Sequence, residues 1–276
     1  MPAAPPADPD AFAARCFVDA AGLPLPYRLL LPERSEPGVR YPLLLFLHGA
    51  GERGTDNVAQ LGNGIGTLLL HARSTGPCVA VVPQCPPGLR WVETDWSAPS
   101  HELPSIPSAP LHAALALVDA LLRATPRERG GSPAATAPIV DPGRVYILGL
   151  SMGGYGVWDA LSRQPDRFAA AVPICGGGVE SQAAHITAAA VAIWAFHGAR
   201  DPVVPVERSR RMVAALRSCG AAIRYTEYAE VGHDSWTFAL REPELLPWLF
   251  SQTRHGIRSP ETSHPEPPAP PHKPRK

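Results

Sequence analysis

Short apolar runs that alternate with stretches of helical periodicity constrain the fold of this 276-residue chain more than any other feature. The runs lack the alternation of a half-exposed strand, as expected for a parallel sheet buried on both faces. The pattern predicts an α/β domain with a mostly parallel central sheet and helices on both faces. The predicted strands are 27–31, 43–47, 79–82, 145–148, 169–174, 191–196 and 223–228, and the predicted helices are 111–123, 155–163, 206–218 and 245–252.

The length of the chain fits one domain of this kind, which we place at residues 13–254. The 34 prolines concentrate in connecting segments and at both ends. Residues 1–12 are rich in proline and alanine, and residues 255–276 form a basic, proline-rich stretch without apolar periodicity. We expect a flexible segment at the first end and a disordered tail at the second.

Charge and cysteine content exclude several functions. Lys plus Arg and Asp plus Glu number 25 each, so no net field favours nucleic acid or an acidic membrane surface. Both lysines, Lys273 and Lys276, lie in the tail, which excludes Schiff-base and P-loop chemistry in the folded part. Five cysteines without a C-x-x-C pair indicate reduced structural thiols. Without a signal-like start or a long apolar segment, we expect a soluble cytoplasmic protein with no membrane insertion.

A Gly-x-Ser-x-Gly turn at residues 149–153 follows a predicted strand and precedes a predicted helix. In this setting a sharp strand-to-helix turn holds Ser151 clear of the backbone, so that its hydroxyl can attack a carbonyl. The same turn points the N–H of Met152 and the positive end of the helix at the place where negative charge develops. Ser151 is therefore the candidate nucleophile.

A serine nucleophile needs a base and a carboxylate that orients the base. In the order typical of the α/β-hydrolase fold, the acid and then the histidine follow the serine at later strand ends. Asp201 follows the predicted strand 191–196 and His233 follows the last strand, so they are the predicted acid and base. Asp234 and Asp159 stay as alternative acids, and Asp201 could instead only open a turn before a proline.

A glycine-rich segment after the predicted strand 43–47 is the candidate for the second half of the site. In the α/β-hydrolase plan such a loop carries a backbone N–H that binds the substrate oxygen. We expect the N–H of Ala50 to form the oxyanion hole with that of Met152, and Gly51 is the alternate donor. His48, which precedes this loop, is more often a structural hydrogen-bonding residue in such a place than a base.

One long connection, residues 86–110, contains Trp91 and Trp96 and shows no periodicity. A loop of this length inside a domain is usually functional or disordered. It could fold over the site and present its tryptophans to a substrate, or the tryptophans could only anchor it on the core. Trp91, Trp96, Arg53 and Trp236 are candidate substrate contacts because they lie close to the motifs in sequence.

We predict neither a metal ion nor an organic cofactor. His48, His71 and His197 lack close ligand spacing, and no Gly-x-Gly-x-x-Gly follows a strand. We expect the three glycines at 176–178, which have no side chains, to let the backbone pass close to the predicted active site. Since the segment 175–191 is too short for a helical lid, we expect an open site and no large lid domain.

Five motifs together resemble those of a bacterial family of small α/β-hydrolases. They are LHGAGERG at 47–54, GLSMGGYG at 149–156, PICGGG at 173–178, FHGARDPVVPV at 196–206 and VGHDSW at 231–236. The likeness runs from about residue 26 to residue 252. Members of the family are described as esterases, phospholipase/carboxylesterases or predicted peptidases, and they are similar to feruloyl-esterase-type and dienelactone-hydrolase-type enzymes. The resemblance implies Ser151 as nucleophile, Asp201 as acid and His233 as base.

The nucleophile favours one branch of that resemblance, because dienelactone hydrolases use cysteine where this chain has Ser151. The sequence therefore predicts a serine esterase that cleaves short-chain or aryl carboxylic esters of small molecules through an acyl-enzyme. A peptidase of the prolyl-oligopeptidase type is the alternative, although we identify no segment of this sequence that would form the gating domain usual in such peptidases. Lysophospholipase or thioesterase activity stays open within the same class. A catalytically silent binding module would predict that a triad member is missing.

Overall fold

The computed structural model describes residues 8–36, 38–74, 76–123 and 139–254. Within these ranges, eight strands and seven α-helices make up the fold. The strands are β1 (Ala13–Val18), β2 (Pro24–Leu30), β3 (Arg40–Leu47), β4 (Val79–Pro83), β5 (Ile139–Leu150), β6 (Ala170–Ile174), β7 (Ala192–Gly198) and β8 (Arg224–Tyr228). The helices are α1 (Ile65–Ser74), α2 (Ala109–Arg123), α3 (Met152–Arg163), α4 (Ala183–Ala188), α5 (Glu207–Ser218), α6 (Trp236–Ala239) and α7 (Leu245–Ser251).

The strands form one sheet in the order β1-β2-β4-β3-β5-β6-β7-β8. β1 and β2 are antiparallel to each other, and β2 is antiparallel to β4. From β4 across to β8, every neighbouring pair is parallel. The mostly parallel sheet is thus confirmed, and each predicted strand overlaps an observed one. Because parallel strands end at a common edge, the loops that follow β3, β5, β7 and β8 lie on one side of the molecule.

Two apolar cores cover opposite faces of the sheet, as alternate side chains of β3 demonstrate. Leu43, Leu45 and Leu47 belong to one core, which also contains residues of α2, α3 and α5. Leu44 and Phe46 belong to the other, together with residues of α1 and α7. Since successive residues of a strand point to opposite faces, a strand covered on both sides needs an uninterrupted apolar run. Helices on both faces were the expectation from the sequence, and it is confirmed.

β1 and α1 are among the elements that the apolar pattern does not predict. β1 lies at the sheet edge with mostly exposed side chains, so it has no apolar run, and pairing with β2 creates the strand. α1 has Gly66 in its first turn, which lowers its intrinsic helix propensity. Its Ile65, Leu68 and Leu69 are nevertheless buried in the second core. Both elements therefore depend on tertiary contacts.

The described part of the chain extends slightly beyond the predicted domain. Residues 8–12 include a 3-10 turn at Pro9–Ala11, and the side chain of Phe12 is buried in the second core. The other residues predicted to be flexible or disordered, 1–7 and 255–276, lie outside the described residues. The domain limits 13–254 stay a prediction.

Two connections near the carboxyl edge of the sheet differ in length. Residues 84–108, between β4 and α2, contain neither helix nor strand and are called the 84–108 connection below. The segment between β6 and β7 contains only a 3-10 turn and the six-residue α4. This segment therefore holds no large lid domain, as predicted.

Candidate active site

Ser151 lies in a strained turn between β5 and α3. Its backbone has φ 52° and ψ −116°, a conformation that residues with a side chain rarely adopt. Two glycines make the turn possible. A Cβ at Gly149 would lie 2.4 Å from the carbonyl oxygen of Gly153, and a Cβ at Gly153 would lie 1.9 Å from that of Leu47. The sharp turn holds the Ser151 hydroxyl clear of the backbone, as a nucleophile requires.

Ser151, His233 and Asp201 form a continuous chain of hydrogen bonds. Ser151 Oγ lies 2.8 Å from His233 Nε2, and His233 Nδ1 lies 2.7 Å from Asp201 Oδ2. Since a carboxylate oxygen only accepts, the Nδ1–H of His233 donates to Asp201, and Nε2 is free to accept the hydroxyl proton of Ser151. The structure thus brings together three predicted residues, although the two pairs are 82 and 32 residues apart along the chain.

Backbone contacts hold together the two loops that carry the acid and the base. A Cβ at Gly198 would lie 2.2 Å from the carbonyl oxygen of Gly232, so only glycine allows the loops to come this close. The N–H of Arg200 donates to the carbonyl oxygen of Val231 at 3.0 Å. The imidazole and the carboxylate therefore meet because their backbones are packed against each other.

The carboxylate of Asp201 is fully buried yet ionised at neutral pH. Burial alone raises its pKa, but hydrogen bonds from two histidines and two backbone N–H groups outweigh burial and hold the pKa well below its usual range. The donors are His197, His233, Val204 and Val203. Oδ1 accepts the backbone groups at 2.8 and 2.9 Å, and Oδ2 faces the histidines. Asp201 is therefore a fixed negative charge that orients the ring of His233.

The two alternative acids have other surroundings. Asp159 forms an ion pair with Arg163, one turn further along α3. Asp234 is exposed on its loop. The Nδ1 of His233 is directed to Asp201, in line with the main sequence prediction.

His197, in β7, is a neighbour of the acid that the sequence pattern does not predict. Its side chain is fully buried, and its Nε2 lies 3.3 Å from Asp201 Oδ2. In sequence it is only a histidine without metal-ligand spacing. His197 contacts Asp201 because the chain folds back after β7. The separation of four residues between them is the one sequence signal that could have indicated this contact.

The two predicted oxyanion donors follow neighbouring parallel strands of the sheet. Leu47 of β3 and Gly149 of β5 are parallel partners, and Ala50 and Met152 each follow three residues later. Met152 is the first residue of α3, and Ala50 is the first residue of a 3-10 turn that also contains Gly51. The first N–H groups of a helix have no intrahelical acceptor. N–H groups of this kind can bind an oxyanion, and the assignment of Ala50 and Met152 stays a prediction.

His48 is a structural residue beside this loop. Its Nε2 accepts the N–H of Cys85 at 2.9 Å, and its Nδ1–H donates to the carbonyl oxygen of Gly49 at 2.6 Å. Burial lowers the pKa of His48 to about 4, so the ring is neutral at neutral pH. This histidine joins the glycine-rich segment after β3 to the start of the 84–108 connection, which agrees with the structural role expected for it.

The prediction that Trp91 contacts substrate is corrected by its burial. The side chain has 0% exposure, and its Nε1–H donates to the carbonyl oxygen of His48 at 3.0 Å. Trp91 therefore anchors the 84–108 connection on the core and is out of reach of a substrate. Of the two roles considered for this tryptophan, the anchoring role is the observed one.

The other three predicted contacts are closer to the surface. Arg53 donates to the carbonyl oxygens of Ala50 at 2.9 Å and Leu89 at 3.4 Å, and so ties the oxyanion loop to the 84–108 connection. Trp96 is half-buried against the first core. The ring of Trp236 is half-buried and meets the ring of His233 edge-on, with centroids 5.3 Å apart. Trp236 is thus the predicted contact that lies directly beside the base.

A buried arginine explains the central one of the three glycines at 176–178, which follow β6. Arg208 is 1% exposed, and a Cβ at Gly177 would lie 2.4 Å from its Nε. Its Nη2 donates to the carbonyl oxygen of Gly178 at 3.0 Å and to Nδ1 of His101. Burial lowers the pKa of His101 to about 4, so its ring is neutral and can accept. Gly177 leaves space for Arg208, which holds the 84–108 connection, and the sequence does not predict this contact.

One group of side chains near the triad has the elements of a metal site. Potential ligand atoms of Cys175, Asp201 and His233 lie within 4.8 Å of one another. A thiol binds a metal as the thiolate, and burial raises the pKa of Cys175 so that the thiol stays protonated. The carboxylate and imidazole are already bonded to each other. The arrangement fits a hydrogen-bonded pair better than it fits an ion.

Comparison with known proteins relates this site to a family of hydrolases. Residues 132–252 match the model of the dienelactone hydrolase family. Among solved structures, a thermostable esterase is similar over 89% of this chain and 64% of its own, with 40% sequence identity and a TM-score of 0.76. The chain thus spans a little less than two thirds of that esterase. A comparison with curated proteins found no match.

Two further structures are similar at lower identity. A ferulic acid esterase has 17% identity and a TM-score of 0.63, over 87% of this chain and 97% of its own. An acylaminoacyl peptidase in complex with Z-Gly-Gly-Phe-chloromethyl ketone has 17% identity and a TM-score of 0.59, over 90% of this chain and 43% of its own. At this identity the similarity concerns the fold alone.

The sheet order, the strand-to-helix turn and these similarities define the chain as an α/β-hydrolase-fold protein. Within that class, residues 132–252 are similar to the dienelactone hydrolase family, and the chain is similar to a thermostable esterase. The predicted fold and the family resemblance are both confirmed. Within the described ranges, no helix combines the length and the apolar character that crossing a membrane requires.

Proposed function

We propose that this protein is a serine hydrolase of carboxylic esters. The observation that carries the proposal is the hydrogen-bonded series from Ser151 through His233 to Asp201, with separations of 2.8 and 2.7 Å. The similarity to a thermostable esterase at 40% identity supports the choice of ester over other acyl substrates. Ser151 is the nucleophile, His233 the general base and Asp201 the residue that orients the base.

Acylation begins when Ser151 Oγ attacks the ester carbonyl carbon while His233 Nε2 takes its proton. The carbonyl oxygen becomes an oxyanion, which accepts hydrogen bonds from the N–H groups of Met152 and Ala50, with Gly51 as the alternate. The bond to the alcohol oxygen then breaks, and His233 returns the proton to that oxygen. The alcohol leaves, and the acyl group stays on Ser151.

Deacylation repeats these steps with water. His233 removes a proton from the water, whose oxygen attacks the acyl carbon. The bond to Ser151 breaks as His233 returns the proton to Oγ, and the carboxylic acid leaves. Asp201 keeps its negative charge throughout and stabilises the imidazolium in both halves of the cycle.

Short-chain and aryl esters are the proposed substrates. The segment between β6 and β7 adds only α4, so it does not form a large cover over the site. Trp236 lies edge-on to His233 and provides an aromatic surface beside the base. A peptidase is the second candidate because an acylaminoacyl peptidase shares the fold. Thioesters and lysophospholipids are further acyl donors that the same chemistry accepts.

The first prediction concerns Ser151→Ala assayed with p-nitrophenyl acetate. Because the variant has no nucleophile, kcat falls by about 1000-fold or more. Ser218→Ala, which removes an exposed hydroxyl on α5, keeps the wild-type rate as the matched control. Wild-type activity in the Ser151 variant would overturn the proposal.

Two measurements separate the proposed activity from its alternatives. A fluorophosphonate probe labels the wild-type protein and not Ser151→Ala, whereas a catalytically silent module stays unlabelled. A p-nitrophenyl ester and the p-nitroanilide of the same acyl group compare ester with amide cleavage. We expect the ester to be hydrolysed much faster, because an amide needs more accurate protonation of its leaving group by His233. Comparable rates would favour the peptidase.

A further inference from the structure

Outside the three proposed triad residues, one buried side chain touches the same carboxylate oxygen as the base. His197 has 0% exposure, and its Nε2 lies 3.3 Å from Asp201 Oδ2 and 3.0 Å from the carbonyl oxygen of Val204. Its Nδ1 lies 2.7 Å from Ser209 Oγ. The imidazole therefore has a polar partner on each ring nitrogen and no contact with solvent.

The partners of His197 decide where its proton lies. Nε2 faces two oxygens that only accept, a carbonyl and an ionised carboxylate, so Nε2 must carry a hydrogen. Nδ1 faces a hydroxyl that can either donate or accept, and that hydroxyl has the carbonyl oxygen of Gly176 as a further acceptor at 3.3 Å. In either protonation state of the ring, the Nε2–H donates to the carbonyl oxygen of Val204 at 3.0 Å and faces Asp201 Oδ2 at 3.3 Å.

The same bond closes the loop that carries the acid. Asp201 Oδ1 accepts the N–H groups of Val203 and Val204, while the carbonyl oxygen of Val204 accepts from His197. The turn after β7 is thus held by the carboxylate on one side and by the imidazole on the other. The bonds from the N–H groups of Val203 and Val204 are lost if the carboxylate rotates.

We propose that His197 is a positioning residue for the Asp201–His233 pair. Its Nε2–H faces Oδ2, the same oxygen that accepts the Nδ1–H of His233. This second N–H group holds the carboxylate in one rotamer and stabilises its negative charge. This proposal rests on the proposed function, in which His233 is the base. His197 does not touch substrate, so it acts only through Asp201.

Removal of the His197 Nε2–H is expected to move the pH dependence of kcat/KM in one direction, toward higher pH. Without the Nε2–H of His197, the charge of Asp201 is less stabilised and attracts the imidazolium of His233 more strongly. His233 then holds its proton to a higher pH. The acid limb of kcat/KM, which reports protonation of the essential base in the free enzyme, moves to higher pH.

Other titratable groups face this cluster from the neighbouring elements. Burial raises the pKa of Tyr155 on α3 to about 12 and raises the pKa of Cys175 after β6, so both stay neutral in an assay from about pH 5 to about pH 9. A hydrogen bond from Arg210 lowers the pKa of Glu227 on β8, which stays ionised. Asp234 is exposed and is common to all variants. A shift of the acid limb of kcat/KM is therefore caused by the substitution of His197.

The test compares His197→Leu, which has no donor, with His197→Gln, whose amide N–H₂ lies near the place of Nε2–H. For p-nitrophenyl acetate we expect the Leu variant to lose about 10- to 100-fold in kcat with KM changed less than about twofold. Its acid limb moves up by about half a pH unit or more. We expect the Gln variant to have most of the wild-type kcat and an acid limb at the same pH as that of the wild-type protein. His112→Leu, at an exposed position on α2, is the matched control.

A purely structural role would lower kcat equally in both variants without moving the limb, and that result overturns the proposal. Where the Leu variant does not fold, ¹⁵N-labelled histidine in the wild-type protein decides the matter. We expect an NMR signal for a proton on Nε2 of His197, and its absence overturns the proposal. This signal does not depend on catalysis, whereas loss of the proposed function shows as wild-type activity of Ser151→Ala.

Discussion

The loops that carry the triad and the 84–108 connection border the same site but are held in different ways. In the first region, backbone lies directly on backbone, at Gly153 against Leu47 and at Gly198 against Gly232. The second region has neither helix nor strand, and beyond two backbone hydrogen bonds at Gln84 and Cys85 it is attached mainly by side chains. The main attachments are Trp91 to His48, Tyr155 to the carbonyl of Trp96, and Arg208 to His101.

This difference in attachment suggests that the two regions have different roles, the first in the chemical step and the second in substrate binding. Backbone contacts cannot change without a change of fold, so the positions of nucleophile, acid and base are tied to the sheet. Side-chain contacts can be lost one at a time, and the connection can then move while the sheet stays intact. We expect changes in the first region to affect stability and kcat, and changes in the second to affect mainly KM.

The largest expected effect is that of Gly153→Ala in the first region. Its Cβ would lie 1.9 Å from the carbonyl oxygen of Leu47, so α3 must move away from β3. We expect the free energy of unfolding to fall by about 3 kcal/mol or more. Urea denaturation measures this loss. Gly232→Ala is the control because its nearest neighbour would be 3.8 Å away, and equal losses in both variants would contradict the assignment.

A smaller effect is expected at His48, which joins the two regions. Burial lowers its pKa from 6.5 to about 4, so the unfolded chain takes up this proton at a higher pH than the folded protein does. The stability that His48 contributes is complete above about pH 6.5 and is lost as the pH falls toward about 4. The lowered pKa corresponds to roughly 3 kcal/mol.

The measurement compares the unfolding free energies of wild type and His48→Gln across this range. At neutral pH the variant is less stable because the ring no longer bonds Cys85 and Gly49. The difference narrows as the solution is acidified, since the variant has no imidazole to protonate. Parallel curves for the two proteins would show that His48 does not titrate in this way.

The smallest effect is expected for His101→Ala in the second region. The change removes the acceptor of Arg208 and releases the 84–108 connection. We expect a stability loss of about 1 to 2 kcal/mol. We also expect KM for an aryl ester to rise about threefold or more, and kcat to stay within about twofold.

Limited proteolysis checks the same prediction, because a released connection is cut faster within residues 84–108. His185→Ala, at an exposed position on α4, serves as the control. A fall in kcat without a rise in KM would contradict the separation of the two regions.

The predictable part of the fold and site follows from local patterns. Apolar runs predict the strands, and each of the seven predicted strands overlaps an observed one. Ser151 is recognisable because its turn needs glycine on both sides. Asp201 and His233 are recognisable because strand ends in a parallel sheet share one edge. These signals lie within a few residues of the feature that they predict.

The missed parts depend on partners far away in the chain. β1 is a strand because β2 pairs with it, and its side chains show little of this. Arg208 reads as one of several arginines in an amphipathic helix, although it is buried against the glycines after β6. Trp91 has the same appearance in sequence whether it anchors the connection or contacts substrate.

The sequence by itself determined the class of fold and predicted the nucleophile and the order of acid and base, because apolar periodicity and turn chemistry are local properties of the chain. Only the tertiary structure decided which groups surround Asp201 and which side chains hold the 84–108 connection. Hydrogen bonds are short and directional, so their partners are known only once distant segments have packed together. His197 shows this most clearly, since it faces the acid only after the chain folds back beyond β7.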